Sequence, residues 1–150
     1  MKSALDQSLA LARGYKVDVL LVAAGPKATP PYSVFGADMV GEIFMAENEK
    51  VRQRAEAMAA EAKSRLSSAG VQGNVELSLD AFQDVLVRVR QFALCRDLTV
   101  MDRPGGPVER KEILFEEVLF SAGRPVLLPS DAVAEKFAKI AFAWDGSSHA

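Results

Sequence analysis

Cysteine and histidine are nearly missing from this chain: among its 150 residues there is one of each, Cys95 and His149. A single cysteine excludes an internal disulfide, and its place near the end of an amphipathic helical pattern predicts a buried, apolar role for the side chain. A single histidine, one residue from the end of the sequence, leaves no cluster for a histidine-containing metal site or a Ser-His-Asp triad. Positive charge is not in excess either, with 18 Lys and Arg against 20 Asp and Glu. Without a polybasic run, nucleic acid and lipid head groups are not expected partners. Long apolar runs are lacking too, and Asp6, Gln7 and Arg13 interrupt the opening stretch too early for a signal-peptide core. A cytoplasmic protein with no membrane partner is expected. Neither G-x-G-x-x-G nor G-x-x-x-x-G-K-[ST] occurs, so the common dinucleotide and P-loop families are not supported.

What is present is alternation of helical and strand-like segments over a length that suits one domain. Such a chain removes roughly two-thirds of its extended surface from water on folding. Leu5, Leu9 and Ala12 lie on one face of a first helix that Gly14 is expected to end. Val17 to Ala24 is almost continuously apolar, the mark of a parallel strand covered on both faces. Gly25 to Phe35 reads as a loop at the carboxyl end of that strand. From Glu42 to Ala69, Val51, Ala55, Met58, Ala62 and Leu66 recur at helical spacing, and the charged residues between them read as a solvated face. Gly70 closes this helix. Val75, Leu77 and Leu79 then alternate with polar residues, predicting a strand buried on one face near a sheet edge. Phe82, Val85, Leu86, Val89 and Ala93 form the next helix, with Arg88 and Arg90 on its solvent side.

The richest stretch is Asp97 to Pro129, DLTVMDRPGGPVERKEILFEEVLFSAGRPVLLP. A short apolar run to Met101 meets a Pro-Gly-Gly turn, a helical pattern covers Lys111 to Ser121, Gly123 stops it, and Pro125 to Leu128 is a second apolar run. The unit reads as a β-α-β crossover between neighbouring parallel strands. Gly105 and Gly106 could admit a phosphate at the following helix start, but a simple turn of the chain after the strand is the favoured reading. Glu109, Glu112, Glu116 and Glu117 are spaced as an exposed helix side rather than as a catalytic pair.

With RDLTVMD, SAGRPVLLP and AWDGSSHA as landmarks, this order of elements resembles the universal stress protein family, especially members in which two such domains follow each other. The resemblance implies an α/β fold: a doubly wound, mostly parallel five-stranded sheet of order 3-2-1-4-5 with helices on both faces. It divides the chain into residues 1–129, a domain lacking its first strand, and residues 130–150, a linker and a terminal strand similar to the start of a second domain. Because the absent strand is central, its neighbours would hold unpaired backbone groups. Ile140 to Trp144 is expected to take that place, in the same chain or exchanged with a second copy. Eleven residues separate Leu128 from Ile140, close to the dozen or so that a parallel crossover needs.

The resemblance also carries a nucleotide expectation. Family members that bind ATP share G-x2-G-x9-G-[ST] after the fourth strand; here Asp102 stands at the first glycine, Gly105 keeps the second, and Phe115-Glu116 replace the last pair. By resemblance, Asp145 matches an acidic residue that contacts the nucleoside, and Val22-Ala23 match a backbone contact to adenine. The expected function is therefore a degenerate, non-catalytic universal stress protein-like domain without a cofactor, acting as a homodimer, with or without strand exchange, or beside a nucleotide-competent partner. The alternative is a module that binds ATP, AMP or another small ligand through Asp145, Val22, Ala23, Gly105 and Gly106. A different enzyme on a related sheet is a third reading, supported only by the loop Gly25 to Phe35 and the carboxylates.

Overall fold

The computed structural model describes residues 4–29, 37–105, 109–130 and 132–139. Expectations placed on Ile140 to Trp144, Asp145 and Gly106 lie outside the described residues. The elements are α1 (Ala4–Tyr15), β1 (Val19–Ala24), α2 (Ala37–Ala69), β2 (Gly73–Ser78), α3 (Phe82–Leu94), β3 (Thr99–Val100), α4 (Glu109–Ser121) and β4 (Val126–Leu127).

Every strand pairing is parallel, as near-continuous apolar runs separated by helices dictate. β1 pairs with β2 from Val19↔Gly73 to Ala24↔Ser78, and β3 pairs with β4 at Thr99↔Val126 and Val100↔Leu127. The crossover expected over Asp97 to Pro129 is thus present. The single five-stranded sheet is not: the described residues form two separate pairs, and the segment expected between them lies outside those residues.

Helix α1 joins the two pairs by packing on both β1 and β3 and alongside α2. Helix α2 covers β1 and β2, while α3 packs on α4. The α2 stripe buries Ala55, Ala59, Ala62 and Leu66, whereas Met58 is exposed, so the expected stripe was off by one residue at that turn. Gly70 (φ 63°) ends α2 in a Schellman turn, with Gly70 N–H bonded to Ser67 O and Val71 N–H to Leu66 O. Outside, Lys50 pairs with Glu47, and Arg52 with Glu49 and Glu56, at 2.6–2.7 Å. Hydrogen bonds from Arg52 and then Gln53 hold the Glu49 carboxyl below its ordinary range, as Lys50 does for Glu47. These charges pair with one another along the helix, in keeping with a solvated surface. The second core lies under β3 and β4, where Ala93, Val118 and Ala122 are buried against Val89, Met101 and Val126.

Several local expectations are corrected. Helix α1 passes through Gly14 and ends at Tyr15, where Lys16 takes the left-handed turn (φ 56°). Gly14 is used for close approach instead: a Cβ there would lie 2.0 Å from the carbonyl oxygen of Glu135. Strand β1 is half-buried apart from Ala23, since one of its edges carries no strand among the described residues. In β2 the expected apolar face is reversed at its end, with Leu77 exposed and Ser78 fully buried beneath the chain leaving β1, whose Gly25 N–H bonds Ser78 O at 2.8 Å. Cys95 is exposed rather than buried, because α3 stops at Leu94 and Cys95 caps it, its N–H turned back to the Phe92 carbonyl and the next N–H, of Arg96, to that of Ala93. Arg88 pairs with Asp80 at 3.3 Å and Arg90 with Glu117 at 3.0 Å, so the second arginine ties α3 to α4.

Candidate functional site

In open parallel α/β folds the ligand crevice lies beyond the carboxyl ends of the strands, where the chain switches its direction of progress across the sheet. The chain passes from β1 to β2 and from β3 to β4 in two separate pairs that α1 joins; in the sheet order that the family resemblance implies, the switch point is the place between β1 and β3. At that end stand Val22 and Ala23 of β1, the residues after β3, and the first residue of α1.

Strand geometry separates the two β1 candidates. Val19, Gly25 and Lys27 donate their N–H groups to Gln72, Ser78 and Asp80 across the β2 side. Alternation therefore turns the backbone groups of Ala23 toward β2 and those of Val22 toward the switch point. Ala23 is buried and Val22 half-buried. Gly105 is exposed, and a Cβ there would meet only Arg103 O, at 3.9 Å, among the described residues. Phe115 and Glu116 sit inside α4, well past its start at Glu109, with Phe115 half-buried and Glu116 exposed.

The decisive contact involves Asp102. Its Oδ1 accepts the backbone N–H of Ala4 at 2.7 Å, across 98 residues of sequence. The first N–H groups of a helix lack intrahelical partners and form the positive end of its dipole, where anions are stabilised. A carboxylate of the chain itself thus caps the helix terminus at the switch point. Replacing Asp102 with alanine is expected to cost about 1 kcal/mol, typical of a lost N-cap, and to lower the melting temperature by about 3 °C. Asp102→Asn, which keeps the acceptor, should cost less. Equal melting of all three chains in calorimetry would show that this cap contributes nothing.

Reading the sequence alone misses Asn48. Its carboxamide clips the loop after β1 onto α2, accepting from Ala28 N at 2.8 Å and donating to Ala28 O at 3.0 Å. An asparagine within a run of charged helix residues carries no pattern that would reveal this. Two surface depressions lie elsewhere among the described residues: one of about 430 Å³ beside Asp6, Arg13, Arg65 and Val133, and one of about 520 Å³ along Leu66, Val71 and Asn74. Among the described residues, no group of three or more His, Cys, Asp or Glu side chains could hold a metal ion, and no helix is long and apolar enough to cross a membrane.

The class that emerges is an α/β domain of parallel strands and helices with a carboxylate-capped switch point. In fold it is similar to a protein from the universal stress protein family of Burkholderia pseudomallei, with a TM-score of 0.53 and 23% sequence identity over 84% of this chain and 83% of that one. No protein-family model and no curated sequence matches this chain.

Proposed function

We propose that this chain is a universal stress protein-like domain without catalytic activity that acts by association, as a homodimer or beside a nucleotide-competent partner. The observation that carries the reading is the Asp102 carboxylate on the α1 terminus. A triphosphate entering the switch point would meet a fixed negative charge where a helix end would otherwise attract it. Asp102 is exposed, and like charges about 4 Å apart at such a surface repel by about 1 to 4 kcal/mol. An association surface is supported by the outer edge of β4. Pro125 and Leu127 accept from Thr99 and Met101 of the β3 side, so alternation turns the backbone groups of Val126 and Leu128 outward. Phe120 on the preceding helix is 78% exposed, unusual for so large an apolar side chain.

A second reading, binding of AMP or adenosine, is favoured by the backbone groups of Val22, turned away from β2, and by the exposed Gly105, where a Cβ would meet only Arg103 O at 3.9 Å among the described residues. Calorimetric titration with ATP, AMP and adenosine in magnesium buffer, paired with sedimentation equilibrium, tests both. No heat from any ligand and a dimer weakened by Leu128→Lys are the expected results. Saturable micromolar ATP binding would overturn the proposal, and heat from AMP or adenosine alone would move the second reading ahead.

A further inference from the structure

The outer edge of β2 is an open row of hydrogen-bonding groups. Because Val19, Gly25 and Lys27 donate to Gln72, Ser78 and Asp80, alternation points the backbone groups of Asn74, Glu76 and Ser78 toward β1 and those of Gly73, Val75 and Leu77 away from it. No strand pairs with that side among the described residues, where Gly73 and Leu77 are exposed and Val75 is half-buried. Edge strands are commonly blunted by proline, by lysine or by a bulge. The sequence of β2, Gly-Asn-Val-Glu-Leu-Ser, has no proline and no basic residue, and its register with β1 runs unbroken from Gly73 to Ser78.

The two faces beside this edge differ. A Cβ on Gly73 would lie 3.3 Å from Leu66 of α2, and a Cβ on Gly25 would meet Leu79 together with Val51 and Ala55. Gly73, Val75, Leu77 and Leu79 therefore look toward α2, while Asn74 and Glu76 look the other way and are exposed. Along the edge runs the depression of about 520 Å³, lined by Lys63, Leu66, Ser67, Val71, Val75 and Glu76. Lys63 and Glu76 are exposed and form no ion pair among the described residues. A cation thus stands on the helix side of the edge and a carboxylate on the opposite side.

We infer that this edge takes up an extended segment of a different protein as an added strand, with a carboxylate on the side turned to α2 to meet Lys63 and a cation on the alternate residues to meet Glu76. A row of unpaired N–H and C=O groups is matched by another extended backbone, and the depression receives the side chains that such a strand turns toward α2. A second copy of this chain fits less well. Paired edge to edge about a two-fold axis near Val75, it would bring Lys63 close to its own counterpart on one face and Glu76 close to its own on the other. Like charges facing each other across strands are destabilising. The site belongs to a different strand pair from the β4 edge, so it goes beyond the self-association proposed above and does not depend on it.

Hydrogen exchange on the full chain, at concentrations where sedimentation shows a monomer, tests the edge. The probe is a synthetic peptide of about seven residues, with valines and one glutamate at odd positions and lysine and threonine at even ones. A charge-reversed peptide, with lysine for glutamate and glutamate for lysine, serves as its comparison. In the free chain the amides of Gly73, Val75 and Leu77 are expected to exchange about 100-fold faster than those of Asn74, Glu76 and Ser78, which turn to β1. Millimolar peptide should slow the three edge amides about tenfold or more. The double variant Lys63→Glu, Glu76→Lys should reverse the preference between the two peptides by about tenfold. No slowing of the edge amides by the peptide overturns the docking edge. Slow exchange at them in the free monomer overturns the open edge, and slowing that accompanies dimer formation without peptide overturns the choice of a foreign segment. Equal binding of both peptides to the unaltered chain overturns the roles of Lys63 and Glu76.

Discussion

Replacing Gly14 with alanine is expected to destabilise the protein, against the direction that helix propensity dictates. Gly14 lies in the last turn of α1, and in an exposed helix the change from glycine to alanine gains about 1 kcal/mol. Here the new Cβ would stand 2.0 Å from the Glu135 carbonyl oxygen and 2.8 Å from its carbon. Both are backbone atoms, so relief requires residues 132–139 to lift away from the helix. Lifting them breaks both hydrogen bonds between Gln7 and Ala134 and the bond from Phe137 to Tyr15. A polar group buried as deeply as Gln7 costs about 1–3 kcal/mol when left unpaired. The net expectation is a loss of about 2 kcal/mol, read as a lower urea midpoint with an unchanged slope. Gly14→Val should lose more, while Gln7→Leu removes the clasp without the clash and so isolates its share. A higher midpoint for Gly14→Ala would mean that residues 132–139 do not press on α1.

Where each part of the fold was legible depends on the range of the forces that set it. Helices α2 and α3 follow from apolar spacing and the crossover from β3 to β4 from two apolar runs around a helix, all local patterns that survive packing. Gly14 illustrates the limit. A glycine after an apolar stripe reads as a helix stop, but its missing side chain serves a contact 121 residues away, which no local pattern encodes. Cys95 fails for a related reason: its helical phase pointed inward, but α3 ends one residue earlier and the phase no longer applies. Met58 and Ala59 exchange roles because a small drift in helical phase over a long helix shifts the buried stripe by a residue. At the switch point, the mismatch of Asp102 with a glycine motif was visible, whereas its partner, the N–H of Ala4, emerges only from the fold.

The largest effect is expected at Val118, which is fully buried where α4 meets α3 and the β3–β4 pair. Those strands pair over only two residues each, far too little to persist on backbone hydrogen bonds alone. Their register must come from side chains packed on one face, where Val118 forms a buried cluster with Ala93 and Ala122 against which Met101 and Val126 pack. Val118→Ala leaves a cavity of about two methyl groups and should cost about 2 kcal/mol, whereas Val118→Asp buries an unpaired charge and should cost more than about 4 kcal/mol. Hydrogen exchange gives the check, because the amides of Thr99 and Met101 donate to Pro125 and Leu127 across the pair. In Val118→Ala those two amides are expected to exchange about tenfold faster or more while the chain stays folded. In Val118→Asp they should lose protection entirely. Since β4 also carries the edge assigned to association, Val118→Ala should weaken self-association without altering any residue on that edge. A folded Val118→Asp chain with protected Thr99 and Met101 would show that α4 does not hold the β3–β4 pair in place.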